Sequence, residues 1–261
     1  GVYCSKTKKL KVSHNSIQNM YGAGITTRDG VVEGEFHDNF IFDCNYNIRI
    51  QNYNTAKDNE RSEYYYRNLF WEPEGLGVHI FVHYLDGGWP PETKHPAIFF
   101  YHNSFAGGLA LIQPSAYAGK NGGMPNTHLL NNIFSGPLLC RFCYHGGFDS
   151  IKGMVGSFDY NWVGCKYPDG APAWLAKHNV VAECQRLWAT DKMPDFRLTS
   201  DSAARGKGVD LSSPFTLQEK TFGPLPGMKA GYFNGAAPDL GALQYGETSP
   251  LVPSSANIPK N

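Results

Sequence analysis

One short phrase recurs through residues 14–163: a polar residue, an asparagine and two mostly apolar residues. It reads His14-Asn15-Ser16-Ile17, Asp38-Asn39-Phe40-Ile41, Arg67-Asn68-Leu69-Phe70, His102-Asn103-Ser104-Phe105, Asn131-Asn132-Ile133-Phe134 and Tyr160-Asn161-Trp162-Val163. The asparagines lie 24, 29, 35, 29 and 29 residues apart. A period in this range belongs to stacked supersecondary units, because a unit of that length cannot bury its apolar face alone.

Within each unit, short alternating runs are separated by turn residues, as at 10–13, 16–18 and 23–27, and again at 32–36, 39–42 and 47–51. Such runs read as β-strands. The third unit spans 64–84, the fourth 97–113 and the fifth 127–142, while the sixth opens at Met154. The polar stretches 54–63 and 85–96 read as loop insertions on one side of the stack. With 29 Gly and 17 Pro the chain is rich in turns, and 14% aromatic against 18% charged residues argues for packed β structure over disorder. The period disappears after Asn161. There Val180, Val181, Cys184, Leu187 and Trp188 fall at helical spacing, which predicts one short helix within 174–190. The expected organisation is a run of coils over 1–163, a capping region over 164–247 and a tail over 248–261.

Lys plus Arg (23) equals Asp plus Glu (23), which gives no global field for nucleic acid or an anionic membrane. No run approaches the ~20 apolar residues of a membrane span, and Gly1-Val2-Tyr3-Cys4 does not read as a signal peptide. The six cysteines leave buried thiols and disulfides both open. Cys140-Arg141-Phe142-Cys143 has no second pair to complete a zinc site. Nucleotide-binding glycine loops and a serine nucleophile elbow are missing.

The asparagine phrases closely resemble the right-handed, single-stranded parallel β-helix proteins of the pectate-lyase-like superfamily, in which an Asn ladder stacks at one turn of each coil. The later phrases Asp195-Phe196-Arg197-Leu198, Ser202-Ala203-Ala204 and Pro238-Asp239-Leu240-Gly241-Ala242 resemble the family's ending. The resemblance covers about residues 10–245. It implies an all-β fold with an irregular C-terminal region. Family members begin with a cap and further coils, whereas this chain opens inside a repeat, so the resemblance also implies an upstream segment of the same protein. The expectation that follows is a secreted or periplasmic carbohydrate-active protein, although the fold hosts lyases, hydrolases, epimerases and non-catalytic adhesins alike.

In the family, the strand after the turn that follows the Asn phrase lines the substrate groove. The corresponding stretches here are 24–28, 48–51, 78–83, 109–113 and 138–142. Strand alternation with Ile48, Ile50, Val78, Ile80 and Val82 inward turns Arg49, Gln51, His79 and His83 outward, joined by Arg28 and Arg141. A cationic stripe of this kind suits an anionic polysaccharide, because Arg binds a uronate carboxylate through paired hydrogen bonds. For a polysaccharide lyase acting by β-elimination, Arg49 would neutralise the carboxylate. His79 or His83 would take the C5 proton, and Tyr84 or a second His would protonate the leaving oxygen.

Arg28, Gln51, Arg141, Trp71 and Trp89 would bind substrate, with Tyr64, Tyr65 and Tyr66 as further aromatic surfaces that could instead pack the insertions onto the coils. A glycoside hydrolase would need two facing carboxyl groups; Asp29, Glu33, Asp43, Glu72, Glu74 and Asp86 are the candidates, most of them reading as turn or loop acids. Several family lyases use calcium, and Glu33, Glu35 or Asp43 could offer it oxygen ligands, but no dense acidic loop assigns a metal site. His14 and His102 read as structural, and His95, His128, His145 and His178 as loop residues without metal-ligand spacing. A non-catalytic glycan-binding or structural role is the remaining alternative.

Overall fold

The computed structural model describes residues 1–52, 61–73, 77–84, 97–108, 110–114, 124–135, 155–164, 177–181, 195–217 and 219–250. Its strands, in chain order, are β1 (Val2–Lys8), β2 (Lys11–Ser13), β3 (Ser16–Val32), β4 (Gly34–His37), β5 (Phe40–Asn52), β6 (Ser62–Tyr66), β7 (Leu69–Glu72), β8 (Val78–Tyr84) and β9 (Ala97–Tyr101). They continue with β10 (Ser104–Gly107), β11 (Ala110–Pro114), β12 (Met124–Leu130), β13 (Ile133–Ser135), β14 (Val155–Asp159), β15 (Trp162–Gly164), β16 (Val180–Val181), β17 (Phe215–Leu217) and β18 (Lys220–Phe222). The chain is all-β among the described residues, and no helix there is long and apolar enough to cross a membrane.

Two large sheets hold almost all of these strands, and every pairing within them is parallel. One runs β14-β12-β9-β6-β4-β2. The other runs β1-β3-β5-β7-β10-β13-β15-β16, with β8 joined to β5 and β11 to β8. The long strands β3 and β5 serve both halves of this second sheet: Phe40–Phe42 pair with Leu69–Trp71, whereas Tyr46–Asn52 pair with β8. A register break between Met20 and Ala23 marks the bend between the halves.

Each unit therefore adds one rung to every run of strands, and like side chains meet at the strand spacing of ~4.8 Å. Phe36 stacks on Tyr65 at 4.7 Å and Tyr65 on Phe100 at 4.6 Å. Phe70, Phe105 and Phe134 form a second column at 4.6 and 5.1 Å, and Phe158 of the other sheet meets Phe134 across the interior at 5.3 Å.

The asparagines of the repeated phrase form a continuous row of hydrogen bonds. The backbone N and Nδ2 of Asn39 both donate to Asn68 Oδ1, at 3.1 and 3.0 Å. The same double donation links Asn15 to Asn39, Asn68 to Asn103, Asn103 to Asn132 and Asn132 to Asn161. The Nδ2 of Asn39, Asn68, Asn103, Asn132 and Asn161 also reaches a carbonyl of the preceding unit, as Asn103 does at Tyr65 O (2.9 Å), whereas that of Asn15 donates to Ser13 O in its own unit. The residue before each of these asparagines is left-handed, with φ of 59° at His14, 50° at Asp38, 54° at Arg67, 49° at His102, 55° at Asn131 and 53° at Tyr160. His, Asp and Asn tolerate that conformation better than Arg and Tyr do.

Asn179 extends the row, accepting from Asn161 N at 2.8 Å, although it stands only 18 residues further on. The helix expected over 174–190 is corrected in its described part. Residues 177–181 form a turn and β16, where β-branched Val180 and Val181 pair with Trp162 and Val163. The remainder of that predicted helix lies outside the described residues. The insertion expected over 54–63 ends earlier, because Arg61 is buried and β6 begins at Ser62.

The C-terminal region covers the outer faces. Phe196, Ala204, Leu240, Ala242 and Leu243 pack with Phe40, Leu69, Trp71 and Ile133, while Leu211, Phe215, Leu217, Leu225 and Met228 pack with Tyr66, Phe99, Tyr101 and Leu130. Gly241 N donates to Asn131 O at 2.8 Å with φ at +91°, and a Cβ there would lie 2.6 Å from Ile133 Cδ1. Only glycine meets both conditions.

Candidate functional site

The strands β1, β3, β5, β8 and β11 align two outward columns. One runs Tyr3, Thr26, Arg49, Phe81, Gln113 and the other Ser5, Arg28, Gln51, His83. Ile25, Ile48, Ile80 and Ile112 fill the interior opposite them. Arg28 and Arg49 are half-buried, and the guanidinium of Arg49 lies 5.5 Å from the Phe81 ring centroid. Phe81 stacks on Tyr46 at 4.3 Å and meets His83 edge-on at 5.9 Å. Arg28 Nε donates to Asp29 Oδ2 at 3.1 Å and Nη1 to Tyr3 OH at 3.3 Å. Partial burial, and then the positive charge of Arg49, hold the His83 imidazole below its usual pKa.

Arg28, Arg49 and His83 thus share a face, but His79 does not. Its ring is fully buried, 5.2 Å from the core residue Phe105. Strict alternation of buried and exposed residues fails along β8, where His79, Ile80 and Phe81 are all enclosed. Gln51 occupies the outward column yet is buried, so it offers little to a ligand. Trp71 belongs to β7 instead of an insertion and is buried against the C-terminal region, stacked on Phe42 at 5.8 Å. Tyr65 and Tyr66 are likewise buried strand residues of β6, and Tyr64 is half-buried. The backbone of Tyr84 pairs with Asn52 at the end of β8, and its side chain lies outside the described part. Trp89, Arg141, Glu74, Asp86, His95 and His145 lie outside the described residues.

Sequence reasoning missed a chain of buried groups behind this face. Glu72 carboxylate oxygens accept from Cys44 N at 3.3 Å, Asn47 bridges Glu72 and His79, and His79 Nε2 faces Gly107 O at 3.1 Å. Burial drives the Glu72 carboxyl up to about 9 and His79 down to about 4, so both are neutral near pH 7. With Asn47 Oδ1 toward His79, the imidazole would need protons on both nitrogens. Turning the amide by 180° satisfies every group: protonated Glu72 donates to Asn47 Oδ1, Asn47 Nδ2 donates to His79 Nδ1, and His79 Nε2 donates to Gly107 O.

A second buried network joins the other sheet. Arg61 Nη1 donates to Glu63 Oε1 at 2.5 Å, Thr27 Oγ1 and Tyr65 OH donate to Glu63 Oε2 at 3.0 and 2.7 Å, and Arg61 Nη2 donates to Gln51 O. Both are indistinguishable in sequence from solvated outward residues.

Cys4 and Cys44 are buried free thiols, and burial pushes Cys44 up to about 12. Glu35 is engaged by Lys11 (3.0 Å) and Tyr66 OH (2.7 Å), while Glu33 and Asp43 are exposed. Among the described residues, no group of three His, Cys, Asp or Glu side chains could hold a metal ion. His102 is buried as expected of a structural residue, whereas His128 sits in β12 instead of a loop, buried beside Phe99.

No family model, curated protein or solved structure matches the chain. What the fold defines is an all-β protein of large parallel sheets, one face of which carries Arg49 and Arg28, the latter paired with Asp29.

Proposed function

We propose that this chain is a parallel β-helix with an Asn ladder, resembling the pectate-lyase-like superfamily, and that it acts as a polysaccharide lyase on a uronate-containing polymer. The row of asparagine hydrogen bonds supports the architectural part of this reading. The register that sets Arg28, Arg49 and His83 on one face carries the functional part. In the proposed reaction, Arg49 pairs with the uronate carboxylate and increases C5 acidity, and Arg28 holds a neighbouring carboxylate. His83, kept neutral by burial and by Arg49, takes the C5 proton. Tyr84 is assigned protonation of the leaving oxygen. A polymeric substrate of this kind places the protein outside the cytoplasm, in a secreted or periplasmic setting.

The test is incubation with alginate, pectate and glycosaminoglycans, followed by ultraviolet absorbance of the unsaturated product. Product that disappears in Arg49→Ala and His83→Ala supports the lyase. Reducing ends without the chromophore support a hydrolase, binding without turnover supports a glycan-binding role, and either result overturns elimination.

A further inference from the structure

A cleft of about 380 Å³ lies elsewhere, between β14, residues 177–178 and β17, lined in part by Val155, Ser157, Asp159, Lys177, His178 and Leu217. That volume is in the range of small-molecule sites. Its origin lies in the sheet. Along the outer face the aligned columns read Tyr64, Phe99, His128, Ser157 and Tyr66, Tyr101, Leu130, Asp159. The apolar cluster under the C-terminal region includes Phe99, Tyr101 and Leu130 but no residue of β14. The columns turn polar toward β14, where Ser157 follows His128 and Asp159 follows Leu130.

The polar groups there are held in place. Asp159 Oδ1 accepts from Tyr160 N at 3.0 Å, and Oδ2 accepts from His178 Nδ1 at 2.7 Å. The imidazole also stacks on Tyr160, 4.7 Å between centroids and 13° from parallel. Nδ1 is thereby committed as a donor, and the tautomer with its proton on Nδ1 presents Nε2 as an acceptor. Ser157 Oγ is engaged with His128 Nδ1 at 2.9 Å. The exposed Lys177 ammonium has no ion-pair partner among the described residues. A fixed acceptor, a free cation and the apolar surfaces of Leu217 and Val155 together match a compact hydroxylated ring bearing one carboxylate.

We propose that this cleft binds a monomeric sugar acid, its carboxylate on Lys177 and a hydroxyl donating to His178 Nε2. The site is separate from the Arg49 face and does not depend on catalysis there. D-galacturonate and D-galactose, which differ in the carboxylate, are the probes, titrated into the full chain and followed by backbone amide chemical shifts. The expected result is perturbation of residues 155–160, 177–178 and 216–217, with galacturonate at least tenfold tighter than galactose. Lys177→Gln should erase that difference at unchanged thermal midpoint, and Arg49→Ala should leave it intact. Equal affinity for the two sugars, persistence of the preference in Lys177→Gln, or shifts confined to β5 and β8 would each overturn the proposal. Absence of lyase activity would leave this outcome unaffected.

Discussion

Removing one amide from the middle of the asparagine row should cost far more than removing the first. Asn103 is fully buried and its side chain makes four hydrogen bonds: it donates to Tyr65 O and Asn132 Oδ1, and accepts from Asn68 N and Nδ2. In Asn103→Ala the Asn68 backbone N–H loses its acceptor in a region closed to water. Each lost bond is worth about 1 kcal/mol net and an orphaned buried group costs about 1–3 kcal/mol, so about 3–5 kcal/mol is expected. Asn15 is only part-buried and its side chain donates two bonds, to Ser13 O and Asn39 Oδ1. Water can replace its partners, and Asn15→Ala should cost about 1–2 kcal/mol.

Urea unfolding of the two variants, compared by midpoint at common slope, measures the difference. Asn103→Asp keeps the volume and both acceptances but, when ionised, cannot donate. Its buried carboxyl should be held above its unfolded pKa, so its stability is greatest below the unfolded value and is lost as pH rises. If Asn103→Ala lies within ~0.5 kcal/mol of Asn15→Ala, or Asn103→Asp shows no such pH trend, the hydrogen-bond account of the row is wrong.

Three further outcomes follow from the buried charges. Glu63→Ala strands the Arg61 guanidinium in the interior and should destabilise by about 3–5 kcal/mol in the same unfolding assay, whereas an exposed pair would cost under about 1. Thermal midpoints should peak near pH ~6–7. Burial holds His79 and His128 at about 4 and His102 at about 3, below the free value of ~6.5, so their contribution is present above ~6.5 and lost as pH falls. Glu72, raised to about 9, acts oppositely, its contribution being lost as pH rises from ~4.3. A midpoint still climbing at pH 9 would contradict this assignment. If the lyase reading holds, Arg49→Gln removes the charge that lowers His83, and the acid limb of kcat/KM should move to higher pH; an unmoved limb would separate the two residues.

The spacing of asparagines, the alternation of apolar residues and the turn composition pointed to an all-β chain of repeated units and to an outward direction for Arg28, Arg49 and His83. These are local signals, since a two-residue alternation and a fixed repeat place side chains relative to their own strand. Burial is different in kind, because it depends on distant segments. His79 is enclosed beside Phe105 and Gly107 O, and Trp71 by a C-terminal region more than a hundred residues away. Asn179 joins the row at a spacing that no period predicts, and Val180–Val181 form a strand because Trp162 and Val163 offer an open edge. The sequence determined which residues share a column; only the tertiary structure decided which columns meet water, and therefore which of them can do chemistry.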